Sequence, residues 1–146
     1  MLAAAQARQL VAQRLQACAL TAGQVHEGRY DPAAESELPC WFVAIDPGEN
    51  VQTEGISWPR LLEHRLSIRA DGFVKSATDL ETQLDTLQLQ GMQALFATQP
   101  PIQLVLIGVR RRTDDGDQQA ARLGCLTLHL EAVFHGVEGD PETLIP

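Results

Sequence analysis

Lysine is almost missing from this chain: ten of its eleven positive residues are arginine, and only Lys75 is lysine. The planar, weakly hydrated guanidinium makes bidentate contacts and is over-represented at interfaces, although a genome rich in G and C gives the same bias. Paired cysteine motifs are also absent. Cys18, Cys40 and Cys125 are odd in number, far apart and free of any C-x-x-C, which argues against a zinc ribbon or a disulfide framework. They read as buried small hydrophobes suited to a reducing cytoplasm. No apolar run approaches the ~20 residues of a membrane span. Glutamine and arginine interrupt "MLAAAQARQLVAQRLQ" too often for a signal peptide. Phosphate loops, nucleophile elbows and zinc-protease helices are missing too, so no catalytic constellation stands out.

Positive charge as a whole is in deficit. A net charge of -8 argues against general binding to a phosphate backbone, which needs a basic surface to release counterions. What remains is ordinary for a folded soluble protein: 146 residues, 45% hydrophobic and 21% charged, enough for one compact domain over 1–146.

The hydrophobic pattern gives the elements. Ala7, Val11, Leu15, Cys18 and Ala22 share one helical face, which predicts a helix over about 2–22 stopped by Gly23. "QVHEGRYDPAAESELP" reads as a loop or short irregular strand, and "CWFVAID" as a buried strand. A long loop over "PGENVQTEGISWP" follows. Between Leu61 and Ala70, Leu62, His64, Leu66, Ile68 and Ala70 alternate with Glu63, Arg65, Ser67 and Arg69, a strand with one solvated face ended by Asp71-Gly72. Thr78 and Glu81 form a capping-box signal for a second helix over about 79–98, with Gly91 a mild weakness in it. "IQLVLIGV" is apolar on both faces and is expected in the centre of a sheet. A polar hairpin tip joins it to a return strand ending at Phe134, and about 136–146 should be a turn-rich, extended tail. The order α-β-β-α-β-β predicts an α+β two-layer sandwich: a four-stranded, mainly antiparallel sheet with both helices on one face.

Single residues carry few chemical signals. His26 beside Glu27 has no second histidine at helical spacing. His64 reads as a hydrogen-bonded core histidine, and His129 and His135 share a polar strand face with Glu131. Trp41 lies in an apolar run, whereas Trp58 sits in a loop and suits an exposed interface anchor. Asp114, Asp115 and Asp117 superficially resemble a calcium loop. Counted from Asp114, however, the twelfth position is Cys125 and not the required glutamate; weak divalent binding to the cluster stays open.

The whole arrangement resembles a known family. A leading helix, "VHEGR" at Val25–Arg29, and "LP" at Leu38–Pro39 before a strand are its first elements. A long loop, "RLSIR" at Arg65–Arg69, a leucine-rich helix and a late aromatic strand at Val133–Phe134 follow. This pattern is similar to that of tail terminator proteins of long-tailed bacteriophages, the minor tail protein U group. The family's usual tyrosine near the end of the last strand is replaced here by Phe134 and His135. The resemblance implies a non-enzymatic structural protein without cofactor, similar in fold to tail tube subunits and assembled in the host cytoplasm. It implies a six-membered ring at the virion neck that caps the tail tube and stops its growth. The other face of such a ring receives the head-completion protein, and DNA passes through its hole without specific binding.

A closed ring needs two different complementary patches on each subunit. An acidic lumen would let a duplex slide. Arg110, Arg111 and Arg112, with Asp114, Asp115 and Asp117 beyond them, place both signs in one segment that would set register between subunits. Trp58 is the other candidate contact. Another head–tail connector, or a small-molecule-binding module around His64 and Trp58, fits the same pattern.

Overall fold

The first helix is built from small side chains four residues apart. Ala3, Ala7, Val11 and Leu15 are buried along one stripe of α1 (Ala3–Leu15), the apolar face of a 3.6-residue repeat. The computed structural model describes residues 2–27, 38–54 (backbone alone from 46), 60–76, 78–97, 102–113 and 122–145. In it α1 ends at Leu15, not near residue 22. Its final turn tightens, with the amides of Ala17 and Cys18 donating three residues back to Arg14 and Leu15 at 3.1 and 3.0 Å. Gly23, at positive φ, serves the turn that follows rather than the helix end. That turn delivers the chain to a three-residue strand, β1 (Val25–Glu27).

The remaining elements are β2 (Cys40–Glu54), β3 (Leu61–Ser76), α2 (Leu80–Leu95), β4 (Gln103–Thr113), β5 (Arg122–Val137) and β6 (Asp140–Ile145). The α+β class holds. The expected four-stranded antiparallel sheet does not: the described strands form a six-stranded mixed sheet in the order β1-β2-β3-β5-β4, with β6 paired to β5. β1 runs parallel to β2 and every other pairing is antiparallel. The two additional strands, β1 and β6, are short; β1 is half-buried over three residues and β6 is exposed along most of its length. Neither has an alternation strong enough to announce itself before it pairs.

Two strands are longer than their sequence signals. The Pro47-Gly48 step, read as the start of a loop, lies in β2 at a register shift between Ile45 and Glu49. A proline is tolerated at such an irregularity because it has no N–H to lose from the ladder. β3 runs through Asp71-Gly72 because Gly72 is a packing position. A Cβ there would stand 2.6 Å from Leu87 Cδ2 and 3.0 Å from Trp41 Cζ3. Gly91 of α2 lies on the other side of the same indole, where a Cβ would come within 2.8 Å of Trp41 Cζ2. The supposed weakness of the second helix is the space into which Trp41 fits.

β5 is the spine of the sheet. It pairs with β3 from Ser76↔Arg122 to Leu61↔Val137, and its other edge takes β4 and then β6. Both helices cover one face, where Trp41, Val43, Ile68, Leu126, Leu128 and Leu130 meet Val11, Leu15, Leu84 and Leu87. Each leucine buried there contributes roughly 1.5–3 kcal/mol over an exposed one. Arg14 ties the helices together by donating to the carbonyl of Leu95 at 2.6 Å, at the C-terminal end of α2. Gln90 accepts from the amide of Leu20 at 2.9 Å. The predicted Thr78–Glu81 capping box does not form. Asp79 is the N-cap of α2 and makes no side-chain cap bond; its side chain and its amide instead meet the Ser76 hydroxyl, which also receives the amide of Thr78.

Candidate assembly interface

Alternation along β3 and β5 sends one set of side chains away from the helices, and this helix-free face has two halves. At one end Phe42, Phe73, Cys40 and Cys125 form a second apolar cluster. Phe42 meets Phe73 edge-on at 5.4 Å, and His26 stacks on it at 5.1 Å. The rest of the face is ionic. Arg65 bridges Glu63 at 2.7 Å and Glu131 at 2.8 Å, joining two strands. His135 lies 3.6 Å from Glu63. Asp71, only 4% exposed, accepts from the Thr127 hydroxyl at 2.6 Å and pairs with Arg69 at 3.0 Å. A carboxylate held so deeply needs both partners, since burial without them disfavours its charge.

The three arginines fall in the last part of β4 itself. Arg110, Arg111 and Arg112 pair in register with Thr127, Leu126 and Cys125, so alternation separates them. Arg111 faces α2 and is held there, 2.7 Å from Asp85, 3.6 Å from Glu81 and 2.9 Å from Gln88 Oε1. Arg112 takes the opposite face and donates to the Cys125 thiol at 3.6 Å. Arg110 lines an open hollow with Ser67, Gly108, His129 and Glu131 and has no ion-pair partner among the described residues. Asp114, Asp115, Asp117 and Trp58 lie outside the described residues.

The strand preceding these arginines corrects a further expectation. β4 lies at the edge of the sheet, not at its centre. Its apolar residues on both sides are therefore partly in solvent: Val105 is 37%, Ile107 62% and Val109 38% exposed. The sequence does contain a signal for this placement, because a central strand has no room for three consecutive arginines. Ile107 sits where the register shifts between Leu106 and Gly108, which turns it away from either packed face.

Chemistry elsewhere is quiet. His64 stacks on Phe134 at 4.9 Å with the rings nearly parallel. Glu131, a possible partner for His129, is taken by Arg65. Burial pushes the thiols of Cys18 and Cys125 up from their ordinary values; for Cys125 the hydrogen bonds from Arg112 and Thr127 oppose it. A protonated, enclosed thiol is a packing group rather than an activated nucleophile. Among the described residues no cluster of three His, Cys, Asp or Glu side chains is placed to hold a metal. No helix among them is long and apolar enough to cross a membrane.

Fold and site together define a small α+β protein with two helices on one face of a mixed sheet and, among the described residues, an arginine-bearing edge strand. No protein-family model and no curated protein sequence matches the chain. Among solved structures it is similar to a chain of the virion of a native gene transfer agent particle. That match has a TM-score of 0.50 and 17% identity, and it covers 92% of this chain and 98% of the other. At that identity the two chains share a fold.

Proposed function

We propose that this chain is a structural, non-enzymatic subunit of a phage-like virion that closes into a ring at the tail–neck junction. There it caps the tail tube as a terminator and presents its other face to the head-completion protein. The observation that carries this reading is the end-to-end likeness to a chain of a gene transfer agent virion particle, which leaves little of either chain unmatched. The sequence resemblance to tail terminators points the same way. A hexamer, the tube protein and the head-completion protein as partners, and a virion location follow from that resemblance. The net charge of -8 suits a conduit that phosphate does not stick to.

Size-exclusion chromatography with light scattering, and negative-stain imaging beside tail tubes, test the reading. Rings that seat on tube ends and halt tube growth are expected. A strict monomer at every concentration, with tubes growing unchecked in its presence, overturns it. Replacing Arg110–Arg112 with alanine should leave the fold intact and impair assembly.

A further inference from the structure

The hollow beside Arg110 gathers polar side chains that the fold itself does not use. It has a volume of about 380 Å³ and lies where β3, β5 and β4 run side by side on the helix-free face. The register shift at Ile107 sets Gly108 across from His129, and a Cβ at Gly108 would meet nothing within 4 Å. A glycine inside a strand marks a bulge or a place where another group approaches closely; this one clears space beside the imidazole. Arg110 follows two positions along β4 on the same face, and Ser67 of β3 sits across from Glu131, two positions from His129 on β5. Ser67, His129 and Arg110 therefore form a diagonal over three strands. Diagonal neighbours stand about 7–8 Å apart, so one small molecule reaches all three. None of the three makes a side-chain hydrogen bond or ion pair with another described residue. Glu131, which also lines the hollow, is matched by Arg65 at 2.8 Å. Arg111 and Arg112 are engaged elsewhere. The Arg110 guanidinium is thus the uncompensated charge of the hollow.

We propose that this hollow is a binding site for a small organic oxyanion, a carboxylate or a phosphomonoester carried on a short apolar body. The planar fork of Arg110 donates two parallel N–H bonds to such a group, a geometry a carboxylate and a phosphate share. The His129 imidazole N–H and the Ser67 hydroxyl donate to the oxygens that remain. Ile107 and Val109 line the hollow as well and give the apolar body its contact. The volume falls at the small end of ligand sites, roughly 300–1,000 Å³, and leaves room for several carbon atoms beside the anion. A net charge of -8 makes the chain repel anions at long range, so recognition here is local and depends on these few groups. The site needs no second copy of the chain and stands apart from the ring-subunit reading.

Histidine ring signals in the proton NMR spectrum of the full chain test this, with isovalerate, phenyl phosphate, inorganic phosphate and the neutral isovaleramide as probes. Isovalerate or phenyl phosphate should shift His129 saturably and leave His26, His64 and His135 in place; which of the two binds more tightly identifies the oxyanion. Isovaleramide should shift nothing. Arg110→Gln should weaken binding by about tenfold or more, the loss of a hydrogen bond to a charged group. Gly108→Val places its side chain in the empty hollow, so it should keep the melting temperature of the parent and abolish binding while every charge remains. Arg122→Gln removes another arginine without an ion pair among the described residues and should leave binding unchanged. No saturable shift at His129 with either organic anion overturns the site, as does an equal shift of all four histidines. Binding that survives Arg110→Gln undiminished overturns it too, even if Gly108→Val fails to fold. Inorganic phosphate binding as tightly as phenyl phosphate overturns the organic ligand. None of these outcomes bears on ring formation.

Discussion

The two faces of the sheet are stabilised by different physics, although the same strands make both. The helix-covered face is dry and jigsaw-packed around Trp41, with Gly72 and Gly91 clearing space on either side of the indole. The helix-free face holds four buried apolar residues at one end and a ladder of ion pairs over the rest. Volume decides the first; partner satisfaction decides the second. Mutations should therefore rank by face.

Trp41→Ala should have the largest effect. It leaves a cavity between β3 and α2, and a loss of about 3–5 kcal/mol is expected in denaturant unfolding. Gly91→Ala comes next and separates packing from propensity. In an exposed helix interior this change stabilises by about 1 kcal/mol. Here the new Cβ would sit 2.8 Å from Trp41, so a net loss of about 1–3 kcal/mol is expected. In a Trp41→Leu background the same change should become neutral or stabilising; a loss equal to that in the parent would show that the indole is not the obstacle.

On the helix-free face, Asp71→Ala removes the carboxylate that receives the Thr127 hydroxyl and pairs with Arg69, and should cost about 1–3 kcal/mol. Arg65→Ala breaks two exposed ion pairs and should cost less than about 1 kcal/mol, with a smaller difference still at high salt. A larger effect would make the ladder a true stabiliser and erase the contrast between the faces.

The smallest effect should come from the clip closing the β3–β5 ladder. Arg60 donates through both Nε and Nη2 to Glu138, each at 2.6 Å, and this holds the Glu138 carboxyl below its ordinary value of 4.5. A depressed carboxylate contributes stability that is present above its unfolded value and is lost as pH falls through its folded one. The melting-temperature difference between the parent and Arg60→Ala should therefore be present at neutral pH and disappear in acid. Salt should also reduce it.

Much of the helix-covered face was legible from residue order. The four-residue spacing of Ala7, Val11 and Leu15, and the alternation from Leu66 to Ala70 and from Leu126 to Phe134, fall on this face as read. The failures share a cause. Pro47-Gly48, Asp71-Gly72 and Gly91 each carry the local signature of a break, yet a neighbouring chain segment gives each a role inside an element. β4 shows the converse error: apolarity on both sides is the mark of a central strand only when something covers both sides. Of the proposed contact residues, the arginines are placed on the edge strand and sorted by face, while Asp114, Asp115, Asp117 and Trp58 remain sequence-level candidates.

By itself the sequence determined what lies within reach of one or two turns of chain: the class, both helices, the main strands, and which side of the alternating strands β3 and β5 is apolar. Periodicity encodes these, because burial of a single face is a local demand. Tertiary structure alone decided the strand order, the mixed six-stranded sheet, the seat of Trp41 between two glycines and the position of β4 at the edge. Those depend on which distant segment arrives beside a strand, and a strand's own residues do not record whether its second edge is covered within the chain or left for a neighbour.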